Sequence, residues 1–172
     1  MKKRRISKQI HIGQVKIGGG APIAVQSMTK TDTRDAKATI AQINKLEEYG
    51  CEIIRVAIPD HEAAAALAKI KKSVSIPVVA DIHFDYRLAL AALAAGADGL
   101  RLNPGNIRDK GHIKQVVLAA KSKDIPIRIG INAGSLPPGR PRNLSTAAYM
   151  VEIAMQQVRL LEDWDYDLIK IA

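Results

Sequence analysis

Short apolar segments and helix-like segments alternate along almost the whole chain, and this alternation constrains the fold more than any other feature. Six segments have the character of strands: 23–28, 53–58, 77–83, 99–103, 126–132 and 168–172. Five segments between them have apolar residues at helical spacing: 35–49, 60–72, 86–95, 111–123 and 145–161, the last with Ser145 as its N-cap. Because strict alternation makes consecutive strands parallel and places helices outside them, the sequence predicts an α/β protein.

A different pattern precedes this alternation. Two short alternating pieces, 10–12 and 15–17, predict a hairpin, and we assign residues 1–22 to a basic N-terminal hairpin. Three glycines follow at 18–20, but no Gly-Lys-Ser/Thr pattern accompanies them and no helix begins directly after them. A flexible turn is therefore favoured over a phosphate-binding loop. The remainder, 23–172, is assigned to the α/β domain.

Polar side chains discriminate between the two architectures that the alternation allows, a doubly wound sheet and a (β/α)8 barrel. They occur near the carboxyl ends of most predicted strands: Gln26, Arg55, Asp81, His83, Arg101, Asn103, Arg128, Asn132 and Lys170. Side chains two apart share a strand face, so Arg101 and Asn103 lie opposite Leu100 and Leu102. Polar groups on strand after strand are typical of a barrel mouth, whereas a doubly wound sheet uses mainly one crevice.

We therefore expect a TIM-type barrel with Arg101 and Asn103 facing its axis. Such a barrel has eight strands and typically about 250 residues. The chain has 172 residues and six predicted strands. The expectation is a (β/α)8 barrel truncated here after about six strands.

Four cations would ring one mouth of this barrel: Arg55, Arg101, Arg128 and Lys170. Arginine binds phosphate oxygens through a planar fork of donors, and lysine adds a point charge. This concentration of charge predicts an anionic ligand of the size of a phosphate or diphosphate. The alternative is that Asp32, Asp60 and Asp81 neutralise the arginines in structural ion pairs.

Asp81 and His83 share a strand face at one strand end, which makes them candidate catalytic residues. They could transfer a proton or donate hydrogen bonds to substrate hydroxyl groups. Cys51 follows Gly50 at a turn from helix to strand, at the end of the barrel opposite the mouth. We interpret it as a small buried residue.

Charge and composition narrow the class of protein. The net charge is +9, and seven basic residues precede the first acid, Asp32. Aromatic residues make up only 3%, which leaves few rings to stack on bases, so a solvated basic terminus is favoured over nucleic-acid binding. No apolar run approaches the roughly 18 residues of a membrane helix. One cysteine excludes an internal disulfide framework, and we expect a soluble cytoplasmic protein.

Four motifs together resemble one family. They are PIAVQSMT at 22–29, VADIHF at 79–84, LRLNPGN at 100–106 and IGINAGSL at 129–136. In this order and spacing they are similar to the bacterial 4-hydroxy-3-methylbut-2-enyl diphosphate synthases. The resemblance extends from about Arg5 to the last residue.

The resemblance implies a TIM-barrel oxidoreductase of the non-mevalonate isoprenoid pathway. It would open methylerythritol cyclodiphosphate and dehydroxylate it reductively, with two electrons from flavodoxin or ferredoxin through a [4Fe–4S] cluster. The diphosphate would lie in the barrel mouth. The positions implied for substrate binding are Arg55, Arg101, Asn103, Arg128, Asn132, Lys170, Gln26 and Ser27, with Asp81 and His83 nearby.

The chain departs from this family pattern in one respect. Family members hold the cluster with three cysteines and a glutamate in a second domain, which caps the partner's barrel in a homodimer. Cys51 alone cannot replace a set of four ligands, which are usually thiolates. The expectation is that this chain holds no metal, that the iron-sulfur domain is absent from it, and that it is inactive by itself.

Two other hypotheses are also compatible with the sequence. The chain could belong to another barrel enzyme for a phosphorylated or pterin substrate, such as a dihydropteroate synthase-like protein. It could also be a non-enzymatic binder of anions or nucleic acid that uses its basic N-terminus.

Overall fold

Alternating strands and helices build one parallel sheet, as the sequence predicts. The structure, a computed structural model, describes residues 6–103, 107 and 109–172. The strands are β1 (Ile10–Ile12), β2 (Val15–Ile17), β3 (Gln26–Met28), β4 (Ile53–Ala57), β5 (Val78–Ile82), β6 (Gly99–Leu102), β7 (Ile127–Ile129) and β8 (Ile169–Ile171). The helices are α1 (Ala36–Glu48), α2 (His61–Ser73), α3 (Tyr86–Ala94), α4 (Lys110–Lys121) and α5 (Thr146–Glu162). Strands β3 to β8 lie in sequence order and are all parallel.

Side-chain N-caps determine where the helices begin. The capping residues are Asp35, Asp60, Asp85, Asp109 and Ser145, each accepting a hydrogen bond from a backbone N–H of the first turn. Such a cap satisfies a donor that has no partner within the helix, and losing one costs about 1 kcal/mol. Each predicted helix therefore begins and ends within two residues of its observed bounds, and the predicted cap at Ser145 is confirmed.

The main core lies between the sheet and the helices. Alternate residues of the strands are fully buried against the helices, among them Val56, Leu100 and Ile127. Leu102 belongs to the same cluster, while Arg101 between the two leucines does not. The predicted alternation of β6 is confirmed, and the opposite face of the sheet is left for the polar side chains.

The sheet is curled so strongly that side chains of its two edge strands meet. Nζ of Lys170 in β8 donates a hydrogen bond to Oε1 of Gln26 in β3, at 3.3 Å. In a flat sheet these two strands would be roughly 24 Å apart, at about 4.8 Å per strand. The contact therefore requires the inner face to close around an axis, as in a TIM barrel that is present here over six strands.

The hairpin of β1 and β2 closes the amino-terminal end of this inner face. Ile12, which is 4% exposed, packs with Ile53 and Val79 in a second apolar cluster on the axis side of the sheet. Val15 and Ile17 of the hairpin border the same cluster. The hairpin thus separates the interior from solvent at the end opposite the carboxyl ends of the strands.

Several strands are shorter than predicted. The segment 23–25 does not belong to β3, and Ile23 and Val25 are 82% and 54% exposed. The N–H of Val25 donates to the Glu52 carboxylate instead of to a neighbouring strand, because this segment extends past the amino end of β4. Strand β7 covers three residues rather than seven. Residues 1–5 of the basic N-terminus and residues 104–106 of the LRLNPGN motif lie outside the described residues.

The longest helix, α5, has 17 residues. Within the described ranges, no helix combines the length and the apolar character needed to cross a membrane.

Replacing Ile12 with alanine tests the role of the hairpin. The substitution should lower the free energy of unfolding by about 2–4 kcal/mol, because it removes buried methylene groups and leaves a cavity beside Ile53 and Val79. Urea denaturation measures the loss. His11→Ala, at an exposed position of the same strand, is the control and should change stability little. Equal stability of both variants would contradict the conclusion that the hairpin packs into the amino-terminal end of the barrel.

Candidate functional site

The register of the sheet aligns four ionisable side chains. Asp81, Arg101, Arg128 and Lys170 are successive Cα partners across β5, β6, β7 and β8. Strands are about 4.8 Å apart, so three cations occupy adjacent positions on the axis side. We call Arg101, Arg128 and Lys170 the cation row. The row lies near the carboxyl ends of the strands, where barrel enzymes have their active sites.

Asp81 is a buried carboxylate with three basic side chains close to it. It is 3% exposed and accepts a hydrogen bond from Nη1 of Arg101 at 3.1 Å. Nε of Arg55 lies 3.4 Å from its other oxygen, and Nε2 of His83 lies 3.5 Å from Oδ1. One buried negative charge therefore lies beside two guanidinium groups and a histidine.

The structural ion-pair alternative holds for Asp81 but is wrong for the other two acids. Asp32 and Asp60 pair with Arg34, at 2.9 and 3.4 Å, and all three side chains are exposed. Asp60 is also held at the start of α2, because its side chain caps that helix. The inner face therefore has four cations and the single carboxylate of Asp81 among the residues described.

Arg55 also contacts an uncharged group. Its Nε and Nη2 lie 3.3 and 3.1 Å from Sδ of Met28 in the neighbouring strand. A thioether is a weak acceptor, so it orients the guanidinium without neutralising it. Sequence reasoning overlooked Met28, although it lies two residues after Gln26 and therefore on the same strand face.

Arg128 and Lys170 have no ion pair within the described part of the chain. Nε of Arg128 is buried and has no hydrogen-bond partner. Burial lowers the pKa of Arg128, and repulsion from Arg55 and Arg101 lowers it further. Burial likewise lowers the pKa of Lys170, with a further contribution from Arg128. Both groups are thus held where their positive charge is unfavourable unless an anion approaches.

The remaining predicted residues differ in where they lie. Asn103 is 4% exposed just after β6, and Asn132 is exposed after β7. His83 is half exposed beside Asp81, at the end of β5. Ser27 is on the other side of the sheet, because its register partner Ile54 belongs to the helix-side core. The structure therefore does not bring Ser27 together with the cations.

A metal cluster does not fit the residues present. Among the described residues, no group of three or more histidine, cysteine or acidic side chains could hold a metal ion. Cys51 is buried, as predicted, and its thiol donates to the Ile53 carbonyl at 3.1 Å. The arrangement on the axis is suited to binding an anion and to holding it through several directed donors.

Replacing Asp81 with asparagine tests how much this carboxylate contributes to the stability of the fold. The free energy of unfolding should fall by about 3 kcal/mol, because two partly buried guanidinium groups lose their common counter-charge. Chemical denaturation at low salt measures the change. The matched control is Asp165→Asn, whose side chain is 96% exposed and 4.0 Å from Lys121, and it should have nearly wild-type stability. A negligible effect at Asp81 would show that the arginines are held by other contacts.

Comparison with curated proteins finds close relatives. A 4-hydroxy-3-methylbut-2-en-1-yl diphosphate synthase (flavodoxin) of Dehalococcoides mccartyi is 63% identical over 169 residues, which are 98% of this chain and 49% of the relative. A protein of the same name from Thermodesulfovibrio yellowstonii is 54% identical over 178 residues, covering 100% of this chain and 50% of the relative. The chain spans about half the length of the curated relatives it matches.

Solved structures share the fold at low sequence identity. Dihydropteroate synthases from Vibrio fischeri and Xanthomonas albilineans superpose with TM-scores of 0.68 each, over 96% and 95% of this chain and 66% and 63% of theirs. Their identities of 11% and 16% demonstrate a common fold alone. The dihydropteroate synthase-like alternative is not favoured, because the relatives that are 54–63% identical to this chain have a different name.

The family assignment follows from a match that covers nearly the whole chain. Residues 7–172 match the family described as the GcpE TIM-barrel domain. This range includes the hairpin, all six parallel strands and every residue of the cation row. The chain therefore belongs to the GcpE TIM-barrel domain family.

Proposed function

We propose that this chain is the substrate-binding barrel of a 4-hydroxy-3-methylbut-2-enyl diphosphate synthase and that it binds methylerythritol cyclodiphosphate at the cation row. The observation that carries the proposal is the unpaired charge of Arg128 and Lys170 on the axis side. The names of the relatives support the choice of reaction, because proteins 52–63% identical to this chain are diphosphate synthases of this kind.

The binding chemistry follows from the excess of cations. An approaching diphosphate would offset the repulsion among Arg55, Arg101 and Arg128 and would raise the lowered pKa values of Arg128 and Lys170. Guanidinium groups bind phosphate oxygens through two parallel donors, which fixes the orientation of the anion. Charge-assisted hydrogen bonds of this kind contribute about 1.5–3 kcal/mol each.

Different roles are proposed for the neighbouring polar residues. Asp81 orients Arg55 and Arg101 through its two oxygens, and its own charge prevents the anion from lying directly against it. His83 is half exposed at the mouth and would contact the hydroxyl-bearing part of the substrate as a donor or a proton carrier. Asn103 and Asn132, at the ends of β6 and β7, would contribute amide donors.

Electron transfer is proposed to depend on residues outside these 172. The [4Fe–4S] cluster that the family resemblance implies would supply the two electrons of the reductive step, delivered by flavodoxin or ferredoxin. The sequence contains one cysteine, and Cys51 is buried on the face away from the cation row. In the same proposal, the complete enzyme is a cytoplasmic homodimer in which the cluster domain of one subunit faces the barrel of the other.

Arginine-to-alanine variants test the binding site. Arg128→Ala should weaken binding of methylerythritol cyclodiphosphate about ten- to a hundredfold, because one charge-assisted donor pair is lost from the cation row. Isothermal titration calorimetry measures the affinity at fixed salt. Arg159→Ala is the matched control, since Arg159 is an exposed arginine in the last turn of α5.

The two variants distinguish binding at a defined site from attraction of the anion by a diffuse charged surface. A similar loss of affinity in both would mean that net charge alone attracts the anion. Binding of a pterin in place of the cyclodiphosphate would favour the dihydropteroate synthase-like alternative.

Anaerobic reconstitution tests the proposal that the iron-sulfur cluster is held by residues outside this chain. After incubation with iron and sulfide and removal of unbound metal, the 172-residue chain should retain no brown colour and no iron above that of a Cys51→Ser variant, since one buried thiol cannot hold a cluster. A colorimetric iron assay gives the content. Stoichiometric iron bound to this chain alone would contradict the proposal that the cluster is held elsewhere.

A further inference from the structure

Gly130 lies directly against the guanidinium group of Arg101. A Cβ atom added to Gly130 would be 3.0 Å from Nη2 and 3.1 Å from Cζ of Arg101, and closer still to Nε. Nη2 of Arg101 is in addition 3.5 Å from the Gly130 carbonyl oxygen. The planar end of Arg101 thus packs onto the backbone of the segment that follows β7.

The backbone at Gly130 does not itself require a glycine. Gly130 is not among the glycines with positive φ, so an L-residue could adopt its conformation. Its N–H donates to the Leu102 carbonyl at 3.0 Å, which continues the ladder between β6 and β7. The absence of a side chain at Gly130 therefore permits the contact with Arg101.

This contact determines the direction of Arg101. From its place above Gly130, the guanidinium directs Nη1 to Oδ1 of Asp81 at 3.1 Å, and its side chain is only 13% exposed. A bulkier residue at 130 would push the guanidinium off the strand and away from this carboxylate.

We propose that Gly130 is a positioning residue, whose missing side chain leaves the space in which the guanidinium of Arg101 is held for binding a diphosphate. The inference rests on the proposed function for the identity of the anion, but the placement of Arg101 does not. The role is separate from that of Asp81, because Asp81 attracts Arg101 by charge, whereas Gly130 admits it by its lack of a Cβ atom.

Gly130→Ala should change the site more than the fold. An ordinary contact between heavy atoms is about 3.5–4.0 Å, so the guanidinium would have to move by roughly 1 Å. The end of a flexible arginine can make this movement without a change in the backbone, and the variant should therefore fold. A displacement of about 1 Å in a positioned group can cost up to about a hundredfold in function. We expect the affinity for inorganic diphosphate to fall about tenfold.

A double-mutant cycle tests the proposal with the 172-residue chain. The proteins are wild type, Gly130→Ala, Arg101→Ala and the double variant, with inorganic diphosphate as the probe in calorimetry. If Gly130 acts through Arg101, Gly130→Ala weakens binding in wild type and has no further effect once Arg101 is alanine. A general packing defect would weaken binding equally in both backgrounds and would overturn the proposal.

A spectroscopic measurement follows Arg101 without any ligand. The Nε–Hε signal of Arg101 in a ¹H–¹⁵N spectrum is identified by its loss in Arg101→Ala, and it should shift in Gly130→Ala. Gly134→Ala is the matched control, because its added Cβ would make only an ordinary 3.6 Å contact with Oδ1 of Asn132. An unshifted Arg101 signal in Gly130→Ala would overturn the positioning role.

The two measurements separate this proposal from the proposed function. If wild type binds neither inorganic diphosphate nor methylerythritol cyclodiphosphate, the proposed function fails, and the Arg101 signal alone decides the role of Gly130. If wild type binds both and Gly130→Ala changes neither affinity nor signal, the proposed function stands and the positioning role is wrong.

Discussion

The alternation of side chains along parallel strands is the constraint on which the site depends. One face of each strand is buried against the helices, so the other face is free to hold polar groups around the axis. The register then places Arg101, Arg128 and Lys170 side by side. A shift of one residue in a single strand would exchange a cation for a core residue. The apolar packing of the outer face thereby determines where the charged side chains lie on the inner face.

Uncharged neighbours allow these cations to be held without being neutralised. Met28 contacts the guanidinium of Arg55, the Gln26 amide accepts from Lys170, and the backbone of Gly130 lies against Arg101. Only Asp81 offers a negative charge to the group among the residues described. An inner face filled with carboxylates would be more stable by itself but would have less attraction for an anion. We interpret the lowered pKa values of Arg128 and Lys170 as the sign of this arrangement.

Several particulars of the site could be predicted from the sequence because they depend on strand parity. Arg101 between two leucines must lie opposite them, and Asp81 and His83 must share a side. Ser27 was assigned to the site by family resemblance, yet parity places it with Ile54 on the helix side. The position of Met28 on the axis side could have been predicted by the same argument. Gly130 was not, because its role depends on where a side chain of another strand lies.

Local sequence is sufficient to predict the order of elements, the parallel sheet and the residues on each strand face, because these depend on periodicity, on capping side chains and on the alternation of the pleat. The tertiary fold determines which acid meets which cation, since Asp32 and Asp60 pair with Arg34 rather than with the barrel arginines. It also decided that the hairpin closes the barrel interior and that the edge strands approach closely enough for Lys170 to reach Gln26. These distances depend on the curl of the whole sheet, which no local segment of the chain encodes.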